Sequence, residues 1–119
     1  MSKRKDREYL FDIKEAIDRI KNYTKDIDFG TFIAKTEKQD AVLRNLEIIG
    51  EAVKNISPEI KNKYSVVNWK SIAGLRDKVI HFYFGVNLEI VWDVVQNKLG
   101  NLERTLDKIL EDLGETHKS

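Results

Sequence analysis

Apolar residues recur at helical spacing along almost the whole chain, and this constrains the fold more than any other property of the sequence. Leu10, Ile13, Ile17 and Ile20 form one stripe, and Val42, Leu46, Ile49 and Val53 a second. A third runs through Ile90, Val91, Val95, Leu99, Leu102, Leu106, Ile109 and Leu113. Spacings of three and four residues belong to amphipathic helices rather than strands, so the chain is predicted to be all-α. One proline and six glycines punctuate the pattern. The breaks fall at Gly30, Ser57-Pro58 and Gly85, where helix ends belong.

The spacing predicts a first helix over 6–23, a loop containing Asp28, Phe29 and Gly30, and a second helix over 36–55. Ser57 before Pro58 pairs an N-cap with a proline preset for the first turn, predicting a short helix that ends about Lys63. A further long helix is expected over 68–84, with Gly85 in the left-handed terminating position. Asn87 then caps a last helix that ends about Leu113, and the tail from Gly114 is expected to fray. Gly100 inside that helix costs roughly 1 kcal/mol against alanine and suits a close packing contact. Four long helices and one short one, joined by short connections, make an up-and-down bundle. With 119 residues and no internal repeat or linker, residues 1–119 are read as a single domain with an ordered core over about 6–113.

Composition removes several classes of function. Cysteine is absent, which excludes disulfides, thiolate nucleophiles and zinc-thiolate sites. Twenty-one basic and 20 acidic residues leave a net charge of +1, so any nucleic-acid binding must be local rather than driven by the field of the whole molecule. No apolar run is long enough to span a membrane, and the basic start MSKRKDREYL lacks a signal peptide's apolar stretch. A cytoplasmic protein is expected.

Chemistry-bearing residues concentrate on the helix over 68–84. At about 100° per residue, Ile72, Leu75, Val79 and Phe82 form its core-facing stripe. Asp77 and His81 lie near one another on the opposite side, with Arg76 at one margin and Lys78 at the other. Arg76 and His81, five positions apart, stand about 140° apart around the axis. If the same face of a second chain packs here about a two-fold axis, each arginine approaches the partner's histidine and a composite cleft forms. Cleavage of RNA by its own 2′-hydroxyl needs a base, an acid and positive charge at the phosphorus. A dimer supplies two histidines and two permanently charged guanidiniums for these roles. From wheel geometry alone, such a set is more often a solvated face with a weak i, i+4 pair. Asp77 and His81 offer only two metal ligands, so neither a metal nor a cofactor is expected.

The string Arg76-Asp77-Lys78-Val79-Ile80-His81-Phe82-Tyr83 resembles the motif of HepT-like proteins of the HEPN family: arginine, four residues of which the first is polar, histidine, any residue, tyrosine. Its surroundings are also similar, with Arg44-Asn45 and Ile49-Gly50-Glu51-Ala52 upstream, Trp69 and Ile72-Ala73-Gly74-Leu75 just before it, and Ile90-Val91-Trp92 after it. The likeness spans about 9–106. It implies a HEPN-like homodimer that acts as the toxin of a type VII-like toxin–antitoxin pair, a metal-independent endoribonuclease with Arg76 and His81 as catalytic residues. It further implies an MNT-type nucleotidyltransferase antitoxin that silences the toxin by AMPylation of Tyr83. Asp77 stands where such proteins often carry asparagine; its charge opposes phosphate but can raise the pKa of His81, a supporting role. The rival reading is a non-catalytic binding subunit that pairs with a nucleotidyltransferase, and a structural adaptor comes last. Arg44 and Glu51 share a face and serve either as support for the site or as an ion pair. Tyr9, Tyr23, Trp69 and Trp92 read as core or interface aromatics.

Overall fold

Leu10, Ile13, Ala16, Ile17 and Ile20 are fully buried along one side of α1 (Ser2–Thr24), and Val42, Leu46, Ile49 and Val53 form the matching stripe on α3 (Thr36–Lys54). Each such Leu, Ile or Val removed from water contributes about 1.5–3 kcal/mol before entropic costs. The computed structural model describes the backbone of residues 2–84 and 87–114 and the side chains of 5–79 and 87–114. Every regular element among the described residues is helical.

The two stripes face one another, making α1 and α3 the most extensive pair in the fold. Asp6 at the start of α1 reaches Ser57 just beyond α3, while Arg19 late in α1 reaches Asn45 in the middle of α3, so the two run antiparallel. α8 (Leu99–Asp112) closes the core with Leu102, Leu106, Ile109 and Leu110. It is antiparallel to α1, as Lys21 meets Glu103 at 3.0 Å and Lys14 meets Asp107 at 2.9 Å. The all-α, up-and-down expectation holds for these long helices.

Four details differ from the sequence reading. The segment expected to be a loop around Gly30 is a helix, α2 (Phe29–Ala34). Asp28 caps it by accepting the Thr31 amide at 2.8 Å, and Gln39 donates to the Phe32 and Ile33 carbonyls at its other end. Both ends are thus satisfied by side chains, which lets a single glycine be carried. The helix expected over 68–84 is divided at Gly74 into α5 (Trp69–Ala73) and α6 (Leu75–Phe84). The last helix contains a π-helical turn, Val94–Lys98, between α7 (Leu88–Asp93) and α8, closed by the Leu99 amide donating to the Val94 carbonyl. That wider turn shifts the phase of the stripe, so Ile90, expected inside, is 48% exposed while Val91 is fully buried. Gly100 is exposed, and a Cβ there would meet only the far end of Arg104, at 3.6 Å, so close packing does not explain it. Gly85, expected to end α6, lies outside the described residues.

Elsewhere the local signals agree. Ser57 caps α4 (Pro58–Lys63), Asn68 caps α5 and Asn87 caps α7. Buried Asp6 accepts the Ser57 amide at 2.9 Å and ties the turn after α3 to α1. Trp69 is buried and donates from its indole to the Tyr64 carbonyl at 3.0 Å, and Trp92 packs on Phe32 with ring centroids 5.1 Å apart. The Tyr64 hydroxyl donates to Asp112, which anchors the turn after α4 to the end of α8.

Among the described residues Gly50 is the one helical glycine with no room. A Cβ built there would lie 2.8 Å from the Arg76 amide nitrogen and 3.3 Å from the Ile72 and Ala73 carbonyl oxygens. Gly50→Ala is therefore expected to destabilise by about 1–3 kcal/mol through overpacking, whereas Gly100→Ala stabilises by about 1 kcal/mol. Urea unfolding of the two variants measures both signs. Burial, followed by the bond to Asp112, pushes the Tyr64 hydroxyl up to about 12 from 10.0. Because the folded value is the higher one, this contact stabilises fully below pH 10 and is lost as pH rises towards 12. Absorbance titration is expected to show a tyrosinate step near that upper value, absent in Tyr64→Phe.

Candidate active site

α6 begins directly on the backbone of α3, and this contact carries Arg76 into a cleft between α1, α3 and α6. The cleft has a volume of about 320 Å³ and is lined by Tyr9 and Asp12 from α1, by Arg44, Glu47, Ile48, Glu51 and Ala52 from α3, and by Arg76. Leu75 and Val79 on the other side of α6 are buried as predicted, Ile72 before them is half-buried, and the Phe82 side chain lies outside the described residues. The core stripe therefore orients the helix so that Arg76 turns towards α3, while Asp77 and Lys78 are exposed.

Arg76 Nε lies 3.1 Å from Glu51 Oε1, and its Nη1 lies 3.8 Å from Asp77 Oδ1. The first is a close ion pair and the second a looser charge contact. The guanidinium side chain remains 42% exposed, so it is held at its Nε edge while open to a ligand. Arg44 lies near Glu47 at 3.9 Å, a loose surface pair. Three carboxylates and two guanidiniums thus meet in one small space, and phosphate entering it must approach the arginines while avoiding the acids.

Of the residues singled out in the sequence, the structure brings together Arg76, Asp77, Glu51, Arg44 and Tyr9. Arg44 and Glu51 share a face as expected, yet they do not pair; each takes a different partner. Asp77 contacts Arg76. The side chains of His81 and Tyr83 lie outside the described residues, although α6, which carries both, extends through Phe84. Asp12 and Glu47 were not singled out by sequence reasoning. Asp12 is exposed and Glu47 half-buried, so nothing in their own helices sets them apart from other surface acids, and distant neighbours alone mark them. Among the described residues no group of three or more acidic or histidine side chains is gathered as metal ligands, and no helix is long and apolar enough to cross a membrane.

The all-α bundle with its arginine helix agrees with the HEPN-like fold that the motif implies. The family model described as ribonuclease HepT-like matches residues 13–109, and the chain belongs to that family. It is similar to two proteins of Methanocaldococcus jannaschii that are named provisionally as RNases. One is 46% identical over 100% of this chain and 99% of the relative, the other 43% identical over 97% and 99%. It is also similar to a protein of Thermococcus cleftensis named as a probable ribonuclease HepT, 41% identical over 90% of this chain and 97% of the relative. No solved structure matches the chain.

Removing Glu51 is expected to release the Arg76 fork with little loss of stability, less than about 1 kcal/mol for so exposed a pair. The Arg76 Nε–H resonance, assigned by its disappearance in Arg76→Lys, should move and broaden in Glu51→Ala and change less in Glu51→Gln, which keeps an oxygen beside the guanidinium. An unmoved resonance in Glu51→Ala would show that the pair does not form in solution.

Proposed function

We propose that the protein is the ribonuclease toxin of a toxin–antitoxin pair, a metal-independent endoribonuclease that acts as a homodimer with Arg76 and His81 as its catalytic residues. One observation carries this reading: a member of the HepT-like ribonuclease family presents the motif arginine at an open cleft, fixed at Nε and available at its remaining nitrogens. A phosphate drawn to the fork displaces the loose Asp77 contact rather than the shorter ion pair with Glu51.

In this reading the RNA 2′-hydroxyl attacks the adjacent phosphorus as one His81 imidazole takes its proton. The bond to the 5′-oxygen breaks as the second His81, from the other subunit, supplies a proton to the leaving group. Arg76 stabilises the added negative charge on the non-bridging oxygens as the phosphorane forms. The products are a 2′,3′-cyclic phosphate and a 5′-hydroxyl. Asp77 favours the protonated form of the neighbouring imidazole and so the acid role. The chain functions as one folded unit in the cytoplasm, and its partner is a nucleotidyltransferase antitoxin that attaches AMP to Tyr83. Added phosphate there repels RNA from a phosphate-binding site.

Purified protein whose Tyr83 is unmodified by mass spectrometry is expected to cut RNA in the presence of EDTA and leave cyclic phosphate ends. A single change, Arg76→Ala or His81→Ala, should reduce the rate by about 10²-fold or more. Sedimentation should give twice the chain mass. No cleavage by an unmodified dimer would transfer the assignment to a binding subunit for a nucleotidyltransferase, and a monomer that still cuts would remove the two-histidine mechanism.

A further inference from the structure

One helical turn beyond the arginine cleft the charge of the surface reverses. On α3 the step is from Glu51, which lines the arginine cleft, to Lys54, which lines its neighbour; along α5 and α6 it is from Arg76 back to Ala73. The two clefts therefore flank the close approach at Gly50, offset by three residues along α3, about 4.5 Å of rise, and lying on either side of the break at Gly74 on the other segment. The neighbouring cleft is the larger, at about 750 Å³, and Lys54, Lys61 and Lys70 stand around it with Asn62, Ser65 and Val66. No carboxylate is among its lining residues, although the chain carries 20 acids, whereas the arginine cleft has Asp12, Glu47 and Glu51. Among the described residues none of these three ammonium groups lies within salt-bridge distance of an acid, in contrast to Lys14, Lys21 and Lys108 elsewhere on the surface. Across the ridge formed by Val66 a further groove continues with Asn97, Lys98 and Asn101, again without a carboxylate.

We infer that this lysine cleft binds the backbone of single-stranded RNA, and that it holds the strand beside the scissile phosphate at Arg76. The inference rests on the ribonuclease reading for its choice of polyanion. Unpaired lysines surrounded by neutral amide and hydroxyl groups bind phosphates as point charges without reading bases. Exposed Val66 offers bases an apolar edge with no hydrogen-bonding preference, so binding here tolerates any sequence. The arrangement also answers the acid-rich character of the catalytic cleft. Affinity is supplied next door, where no carboxylate opposes it, and the arginine cleft is left to act on one phosphate.

The test is fluorescence anisotropy with a labelled 2′-O-methyl oligoribonucleotide, which lacks the attacking hydroxyl and stays intact. The full-length protein is compared with the triple variant Lys54→Gln, Lys61→Gln, Lys70→Gln and with a control of equal charge change, Lys25→Gln, Lys35→Gln, Lys38→Gln. Thermal unfolding verifies that both fold, and the three single variants stand in if the triple does not. The cleft variant should bind roughly tenfold or more weakly at low salt, with the slope of log affinity against log salt reduced by about 2, as expected for three lost phosphate contacts on a single strand. The control should bind as the native protein does. Equal losses in both variants, or none in the cleft variant, would overturn the proposal. Cleavage of the matching RNA is measured alongside. Arg76-dependent cleavage with cleft-independent binding would sink the lysine cleft alone, and lysine-dependent binding without cleavage would sink the ribonuclease reading alone.

Discussion

Everything about the arginine site follows from two backbones touching. At Gly50 the absence of a Cβ lets the Ile72–Arg76 segment lie against α3 at a separation that any side chain would forbid. The chain reaches that position only by interrupting its helix at Gly74, and α6 restarts with Leu75 facing the core and Arg76 facing α3. Glu51, the residue after Gly50, is then within reach of the guanidinium. Sequence neighbours on one helix thus set both the distance and the orientation of a charged group on another, with no loop involved. Rigid elements hold a reactive group more closely than loops do, which suits chemistry that depends on fixed dipoles and charges.

The periodic stripes made the long helices legible, because burial of an apolar face is a property each helix records in its own residues. Caps at Ser57 and Asn87 were legible for the same reason, since a cap and the amide it accepts lie three residues apart. What was not legible is what depends on partners distant in sequence. Gln39 closing the end of α2 overrides the break suggested by Gly30. The contact of Gly50 divides a helix whose own sequence reads as continuous through Gly74. Glu51 and Arg44, seven positions apart on one helix, read either as support for the site or as an ion pair, and the partner Glu51 takes is Arg76 from another element. The motif string itself was fully legible, and with it the family; the acid-lined cleft around its arginine was not.

The charges of the surface are divided rather than mixed. Carboxylates crowd the arginine cleft, lysines and amides the neighbouring one, and the net charge of +1 hides both. A near-neutral protein of this kind does not gather polyanions from a distance, since opposing charges more than a Debye length away are screened. It discriminates at contact. A strand that meets the lysines is retained, while one that meets only the acids around Arg76 is repelled, so engagement depends on the order in which the two are reached.

The π-helical turn at Val94–Lys98 bears on how the domain can vary. A helix in regular phase obliges all its residues to face the same neighbours, yet α7 lays Trp92 on Phe29 and Phe32 of α2 while α8 lays Leu102 and Leu106 into the core beside α1. The wide turn acts as a clutch between these two engagements. It absorbs an angular mismatch that would otherwise be passed down the helix, so each half can be repacked without disturbing the other's register. The aromatic corner around α2 and the long-helix core are in that sense two modules threaded on a single rod, free to change at different rates.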